Sequence, residues 1–275
     1  MNVGLVKDGP TLGLQERPNP TPGPHEVRLA VQLAGVCRTD VYVARDQLPH
    51  ADPVVLGHEL CGVVDALGPG ADRDWLGRRV SVNPWVGRAQ LGVDRDGGFA
   101  RALCLPASCL VPVSASLAPS RAAFVEPMAA ALAVLEGGLP PGARVRVGGL
   151  GRIATLARRV LAAEGFRICD AGPIDAAVEA DPDSVFELVE ALPDGATLLL
   201  KSRPAGLRPL PWGQVSQKRL TLRGVWYGSF SRAAQWLAEE RVQVDDLLGA
   251  PTPLSRWAEV LDADAPRKHF LDPWG

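Results

Sequence analysis

Apolar and polar residues alternate in short runs through the first part of the chain. Segments 26–33, 63–65 and 79–82 read as strands, and Pro and Gly interrupt the sequence between them at close intervals. Short strands joined by tight turns predict a compact, barrel-like β domain. From Pro127 the texture changes. An Ala- and Leu-rich helical segment, 128–136, leads into the turn Gly137-Gly138-Leu139-Pro140-Pro141-Gly142, so a domain boundary is expected nearby.

The second part alternates. A strand-like run, 143–147, meets Gly148-Gly149-Leu150-Gly151, and the apolar spacing of 153–163 then suits an amphipathic helix. Further strands are expected at 166–169, 175–180, 196–200 and 220–226, with helices at 184–191 and 231–240. This order predicts an α/β chain whose second domain is a mostly parallel, doubly wound sheet. One link does not fit that scheme. Only residues 171–174 separate the second strand from the third, and four residues span at most about 14 Å. Crossing the intervening first strand takes about 10 Å, and returning along a strand of ordinary length takes about 17 Å more. Either one strand assignment is wrong or a βαβ portion is missing.

Composition narrows the class. The 275 residues are 47% hydrophobic and 22% charged, with 29 basic against 31 acidic side chains and a net charge of -2. That balance offers no electrostatic footprint for nucleic acid. No apolar run approaches the roughly 20 residues that span a bilayer, and the first ten residues lack a leader pattern, so a cytoplasmic location is expected. The five cysteines are irregularly spaced in a chain too long to need disulfide staples. Cys61, Cys104, Cys109 and Cys169 read as small core residues.

Cys37 reads differently. It stands in Gly35-Val36-Cys37-Arg38-Thr39-Asp40, and about twenty residues later comes Val55-Leu56-Gly57-His58-Glu59. Thiolate, imidazole and carboxylate are the ligand types of a catalytic zinc, which keeps one position open for water or substrate. Glu126, in Phe124-Val125-Glu126-Pro127, offers a further carboxylate. Taken singly, each has an ordinary reading as core, hydrogen-bonded or capping residue; their occurrence together and in this order favours a metal site.

The turn Gly149-Leu150-Gly151-Arg152-Ile153-Ala154 follows a strand and opens a helix, the context in which a GxGxxA match points to a dinucleotide. Asp170, about twenty residues on, is either a ribose-binding acid favouring NAD or a solvated strand-end residue. Arg152 and Arg167 leave open a preference for the 2′-phosphate of NADP.

GVCRTD, then VLGHE, then AAFVEPMAAAL before the glycine turn together resemble the zinc-dependent medium-chain dehydrogenase/reductase family, especially its sorbitol dehydrogenase-like branch. The likeness runs over nearly the whole chain and includes DGGFARALCLPASCLVPV. It implies a GroES-like β-barrel catalytic domain at 1–125 with a C-terminal return at 252–275. A reduced Rossmann domain at 126–251 would carry the cofactor, with the active site between the two. By this resemblance Cys37 and His58 bind one catalytic Zn2+, Glu59 and Glu126 share the remaining protein position, and Asp40 orients a ligand. Thr39 would bond the substrate oxygen and begin a proton relay. Tyr42 stands where many relatives have a relay histidine, with His50 as a substitute.

Segment 83–92 has no cysteine where many relatives hold a structural zinc, so none is expected there. Trp85 in that segment either faces substrate or is buried. Asp181-Pro182 and Lys201-Ser202-Arg203 stand where relatives carry small residues near the nicotinamide, and are expected to be exposed charges on relocated loops. The resemblance further implies a homodimer or dimer-based tetramer through 220–226, and hydride transfer between NAD(H), preferred over NADP(H), and an alcohol or carbonyl. A non-redox zinc lyase or isomerase on the same scaffold is the alternative.

Overall fold

The computed structural model describes residues 1–204, 206–263 and 265–275. Its contacts divide the chain into two units, Met1–Glu126 with Leu237–Glu239 and Asp245–Gly275, and Pro127–Trp236 with Glu240–Val244.

The first unit is built on a seven-stranded sheet. Its path runs Leu110–Pro112, Arg79–Val82, Glu59–Leu67, Glu26–Gly35, Lys268–Asp272, Leu248–Pro253, and Ala102–Pro106 pairs with Glu26–Gly35 off that path. Strand Glu26–Gly35 alternates as its sequence predicts: Val27, Leu29 and Val31 are fully buried, and Arg28, Ala30 and Gln32 are half-buried. Burying each such aliphatic side chain contributes about 1.5–3 kcal/mol, which fixes the face this strand turns inward. A smaller sheet, Thr11–Arg17, Asn2–Asp8 and Val54–Val55, closes over the same core through Leu5, Val54 and Leu56.

Two registers decide what lies at the end of the central strand. Gly35 pairs antiparallel with Glu59 on one side and with Phe270 on the other. Residues just beyond Gly35 are thereby brought level with His58 and with Lys268. The C-terminal segment belongs to this sheet.

The second unit holds a five-stranded, wholly parallel sheet in the order Arg167–Ile168, Arg144–Gly148, Ala176–Glu179, Thr197–Leu200, Thr221–Gly224. Helix Arg152–Ala163 buries Ala154, Ala157 and Leu161 with Leu156 and Val160, the three-to-four spacing of one helical face. Helix Val185–Ala191 packs Val185, Leu188 and Val189 against Ala177 and Leu198 of the sheet.

The short link is resolved by the length of one strand. Arg167–Ile168 is only two residues long, and Ile168 lies level with Val145, as does Ala176 on the other side. The chain therefore crosses one strand without returning along it, and seven residues, 169–175, make the crossing. Those residues reach at most about 24 Å for a crossing of about 10 Å. Asp175 anchors the far end by accepting hydrogen bonds from Arg144 N (2.8 Å) and Arg144 Nη2 (2.6 Å). The second strand is thus cut to a stub, and no helix and strand stand between it and the third.

Candidate metal centre and nucleotide turn

Cys37 caps the seven-residue helix Arg38–Ala44. Asp40, in the first turn of that helix, is fully buried and turns its carboxylate back on the loop: Oδ2 accepts from Cys37 N at 2.8 Å and Oδ1 accepts from Gly57 N at 3.1 Å. One carboxylate thereby ties the cysteine loop to the histidine loop. The second loop is also pinned from its other side, where Phe99 N donates to Leu56 O and Gly98 N to Gly57 O, both at 2.8 Å. Gly57 holds φ +95°, a backbone conformation that side chains disfavour.

This framework gathers three donors. One ligand atom each from Cys37, His58 and Glu59 lies within 4.8 Å of the others. His58 is fully buried, and neither ring nitrogen has a hydrogen-bond partner. Asp40 Oδ1 stands 3.4 Å from His58 Nδ1, an electrostatic contact rather than a well-aligned hydrogen bond. A buried imidazole left without partners is costly unless something fills its valence. Thiolate, imidazole and carboxylate make the donor set of a zinc with an open position, so these residues fit the ion.

The charges agree with that chemistry. Burial opposes ionising Cys37, but His58 and Lys268 outweigh it and bring the thiol down to about 6. Burial likewise opposes charge on His58, yet Asp40 and Cys37 raise it well above its ordinary range. Burial pushes Glu59 up to about 7 against the pull of Lys268.

Lys268 has no counterpart in the sequence reading. Its ammonium pairs with Glu59 Oε2, and both side chains are almost completely buried. Only a tail expected to return to the first domain hinted at it; the partner is set by strand addition 209 positions away from Glu59 in the chain.

The other expected site residues separate into groups. Thr39 Oγ1 is 3.8 Å from Cys37 Sγ, and Tyr42 lies on the same short helix, half-buried. Glu126 is buried in the first turn of helix Val125–Leu132 and is not one of the three clustered donors. His50 is engaged elsewhere, with Nδ1 2.7 Å from Ala51 O and Nε2 3.1 Å from Asp46 Oδ1, so neither nitrogen is left for a relay. Trp85 is half-buried in the hairpin Trp85–Val86 and Ala89–Gln90. Among the cysteines, Cys61 and Cys109 are buried, whereas Cys104 and Cys169 are only partly so, a departure from the core role expected of all four.

In the second unit, Gly149 follows strand Arg144–Gly148 with φ +94°, and Gly151 is the N-cap of helix Arg152–Ala163. Arg152 and Ile153 form the start of that helix, and Asp170 is exposed two residues beyond the stub strand. The expectation of exposed charges at 201–203 holds only for Arg203. Lys201 is buried and donates from Nζ to Trp226 O at 2.6 Å, while Arg203 stacks on the Trp226 ring at 4.4 Å. The same strand ends bury Glu179, whose Oε1 has no hydrogen-bond partner and whose carboxyl burial raises above the usual range. Asp181 is half-buried and caps the turn that follows it through Asp183 N.

The first unit thus bears a Cys-His-Glu trio, and the second a parallel sheet that opens on a glycine turn. Residues 23–115 match the alcohol dehydrogenase GroES-like domain. The starvation-sensing protein RspB of Escherichia coli K12 is 35% identical over 154 residues, covering 50% of this chain and 45% of RspB. The sorbitol dehydrogenase of Halalkalibacterium halodurans is 30% identical over 215 residues, covering 66% of this chain and 63% of that protein. The chain thus spans about half to two thirds of these relatives' lengths. The structure of RspB, a short chain alcohol dehydrogenase from E. coli CFT073 complexed with NADH, superposes with a TM-score of 0.87 at 22% identity, covering 98% of this chain and 99% of that one. These similarities relate the chain to alcohol and sorbitol dehydrogenases, with the alcohol dehydrogenase GroES-like match confined to residues 23–115. Among the described residues no helix is long and apolar enough to cross a membrane.

Proposed function

We propose that this chain is a zinc-dependent oxidoreductase exchanging a hydride between a nicotinamide dinucleotide and an alcohol or its carbonyl. The observation that carries the reading is the convergence of Cys37, His58 and Glu59 around a buried histidine without hydrogen-bond partners. Zinc, when bound there, supplies Lewis acidity toward the substrate oxygen.

The chain's own residues do the rest. Cys37 and His58 hold the ion, and Glu59 supplies the carboxylate of the trio. Asp40 fixes the two loops that carry them. Thr39, with its hydroxyl 3.8 Å from Cys37 Sγ, bonds the substrate oxygen and takes or returns its proton. Tyr42, on the same short helix, is the next relay group.

On the cofactor side, the turn at Gly149 and Gly151 admits the pyrophosphate to the amides opening helix Arg152–Ala163, the arrangement that stabilises phosphate charge. Asp170 binds the ribose hydroxyls and favours NAD over NADP. The similarity to a sorbitol dehydrogenase supports polyols among the alcohol substrates.

Three measurements test this. Protein purified without added metal should contain one zinc per chain, and NADH should quench its tryptophan fluorescence saturably. With NAD+ and a panel of secondary alcohols and polyols, absorbance at the reduced nicotinamide band should rise. Zinc retained with no binding of either NADH or NADPH would replace this reading with a lyase or isomerase.

A further inference from the structure

Lys268 is a buried ammonium beside a site that attracts a cation, an arrangement that calls for a reason. It stands on strand Lys268–Asp272, and only 4% of its surface is exposed. Its Nζ pairs with Oε2 of Glu59, itself 2% exposed. Backbone pairing holds both residues in place, since Gly35 lies between Glu59 and Phe270, and Val36 N donates to His269 O at 2.9 Å. Gly35 leaves room for the pair: a Cβ there would lie 2.7 Å from Glu59 Oε2 and 3.0 Å from Lys268 Cε.

A carboxylate has two oxygens, and a divalent ion can take one or both. An ammonium seated on one of them leaves a single oxygen for the ion. Charge points the same way: Cys37, Glu59 and Asp40 as anions with Lys268 as a cation sum to two negative charges, which one divalent ion neutralises. In a buried site an unbalanced charge is costly.

We propose that Lys268 is a positioning residue that withholds one oxygen of Glu59 from the metal, so that Glu59 supplies a single donor and a coordination position stays open for the substrate oxygen. This rests on the metal site of the proposed function.

The test uses cobalt(II) in place of zinc, because its visible absorption weakens as its coordination number rises. The wild-type chain should bind one cobalt per chain; failure at this step overturns the metal reading itself, and the inference with it. In Lys268→Met, Glu59 is free to offer both oxygens. The visible band should lose intensity, and metal transfer to a chelator should slow by about tenfold or more, the scale on which residues behind the ligands alter metal affinity. Lys268→Arg, which keeps the charge, should retain the wild-type spectrum, and adding Glu59→Gln to Lys268→Met should abolish the gain. An unchanged spectrum in Lys268→Met, or faster loss of metal, overturns the proposal. Should Lys268→Met not fold, Lys268→Gln is read by the same two measurements.

Discussion

Asp40 faces His58 across 3.4 Å while its two oxygens hold the backbone amides of Cys37 and Gly57. The contact to the imidazole is therefore the lesser part of what Asp40 does; its hydrogen bonds set the separation of the two ligand loops. Asp40→Asn keeps one acceptor and turns an amide group toward one of the buried N–H donors. Leaving such a donor unsatisfied costs about 1–3 kcal/mol. The variant should unfold at lower denaturant by that amount and bind zinc about 10–100-fold more weakly in chelator competition. Wild-type stability together with wild-type zinc affinity would remove Asp40 from this role.

Gly57 precedes the ligand His58 and cannot be exchanged for alanine without disturbing it. A Cβ there would lie 2.6 Å from Phe99 Cδ1 and 2.8 Å from Phe99 N, at φ +95°. Overpacking of this kind costs about 1–3 kcal/mol, and the backbone conformation adds its own penalty. Gly57→Ala should lower the midpoint of chemical unfolding and reduce zinc content in the folded fraction. Equal zinc content and stability in the two proteins would contradict the packing described.

How far the sequence discloses this site depends on which interactions are local. Cys37 and His58 are legible because their residue types and spacing name the chemistry, and Cys37 stands just past a strand whose alternation is plain. The tie from Asp40 to Gly57 N is invisible, since backbone donors leave no mark in a sequence. Lys268 is hidden for a related reason: nothing in Arg267-Lys268-His269-Phe270 states which strand it will join. In the second unit the alternation of strands and helices is readable, and the short link between the second and third strands is readable as a conflict. Its resolution is not, because hydrophobic pattern does not fix that the second strand stops after Arg167 and Ile168. Lys201 shows the opposite failure, a charged residue buried by a carbonyl partner, Trp226 O, that lies 25 positions on in the chain.

The two glycines of the nucleotide turn should separate on substitution. At Gly149 a Cβ would lie 2.6 Å from Asp181 Cβ, with φ +94°, whereas Gly151 has nothing within 4 Å and an ordinary φ of -69°. Gly149→Ala should destabilise the fold. Gly151→Ala should lower stability by no more than about 1 kcal/mol, the usual cost of alanine at a helix N-cap, but weaken NADH about tenfold, near 1.4 kcal/mol, because the added methyl occupies space open to the pyrophosphate. Thermal unfolding and fluorescence titration together read both effects. Undiminished NADH affinity in Gly151→Ala would place the pyrophosphate elsewhere.

His50 makes stability depend on pH. Its Nδ1 faces Ala51 O at 2.7 Å and its Nε2 faces Asp46 Oδ1 at 3.1 Å, so both ring nitrogens meet acceptors, which suits the doubly protonated ring. The Ala51 carbonyl is the main cause of its raised pKa; partial burial opposes it, Asp46 assists, and the nearby Lys7 ammonium, itself 2.8 Å from Asp46 Oδ2, works against it. Because the folded value lies above the ordinary value near 6.5, the stabilisation is complete below about pH 6.5 and is lost as pH rises through the folded pKa. Urea midpoints of the wild type should therefore fall across that window relative to His50→Gln, in which the site no longer titrates. Parallel curves for the two proteins from pH 6 to pH 9, or a His50 ring that titrates by NMR at or below about 6.5, would show that Ala51 and Asp46 do not hold the charged ring.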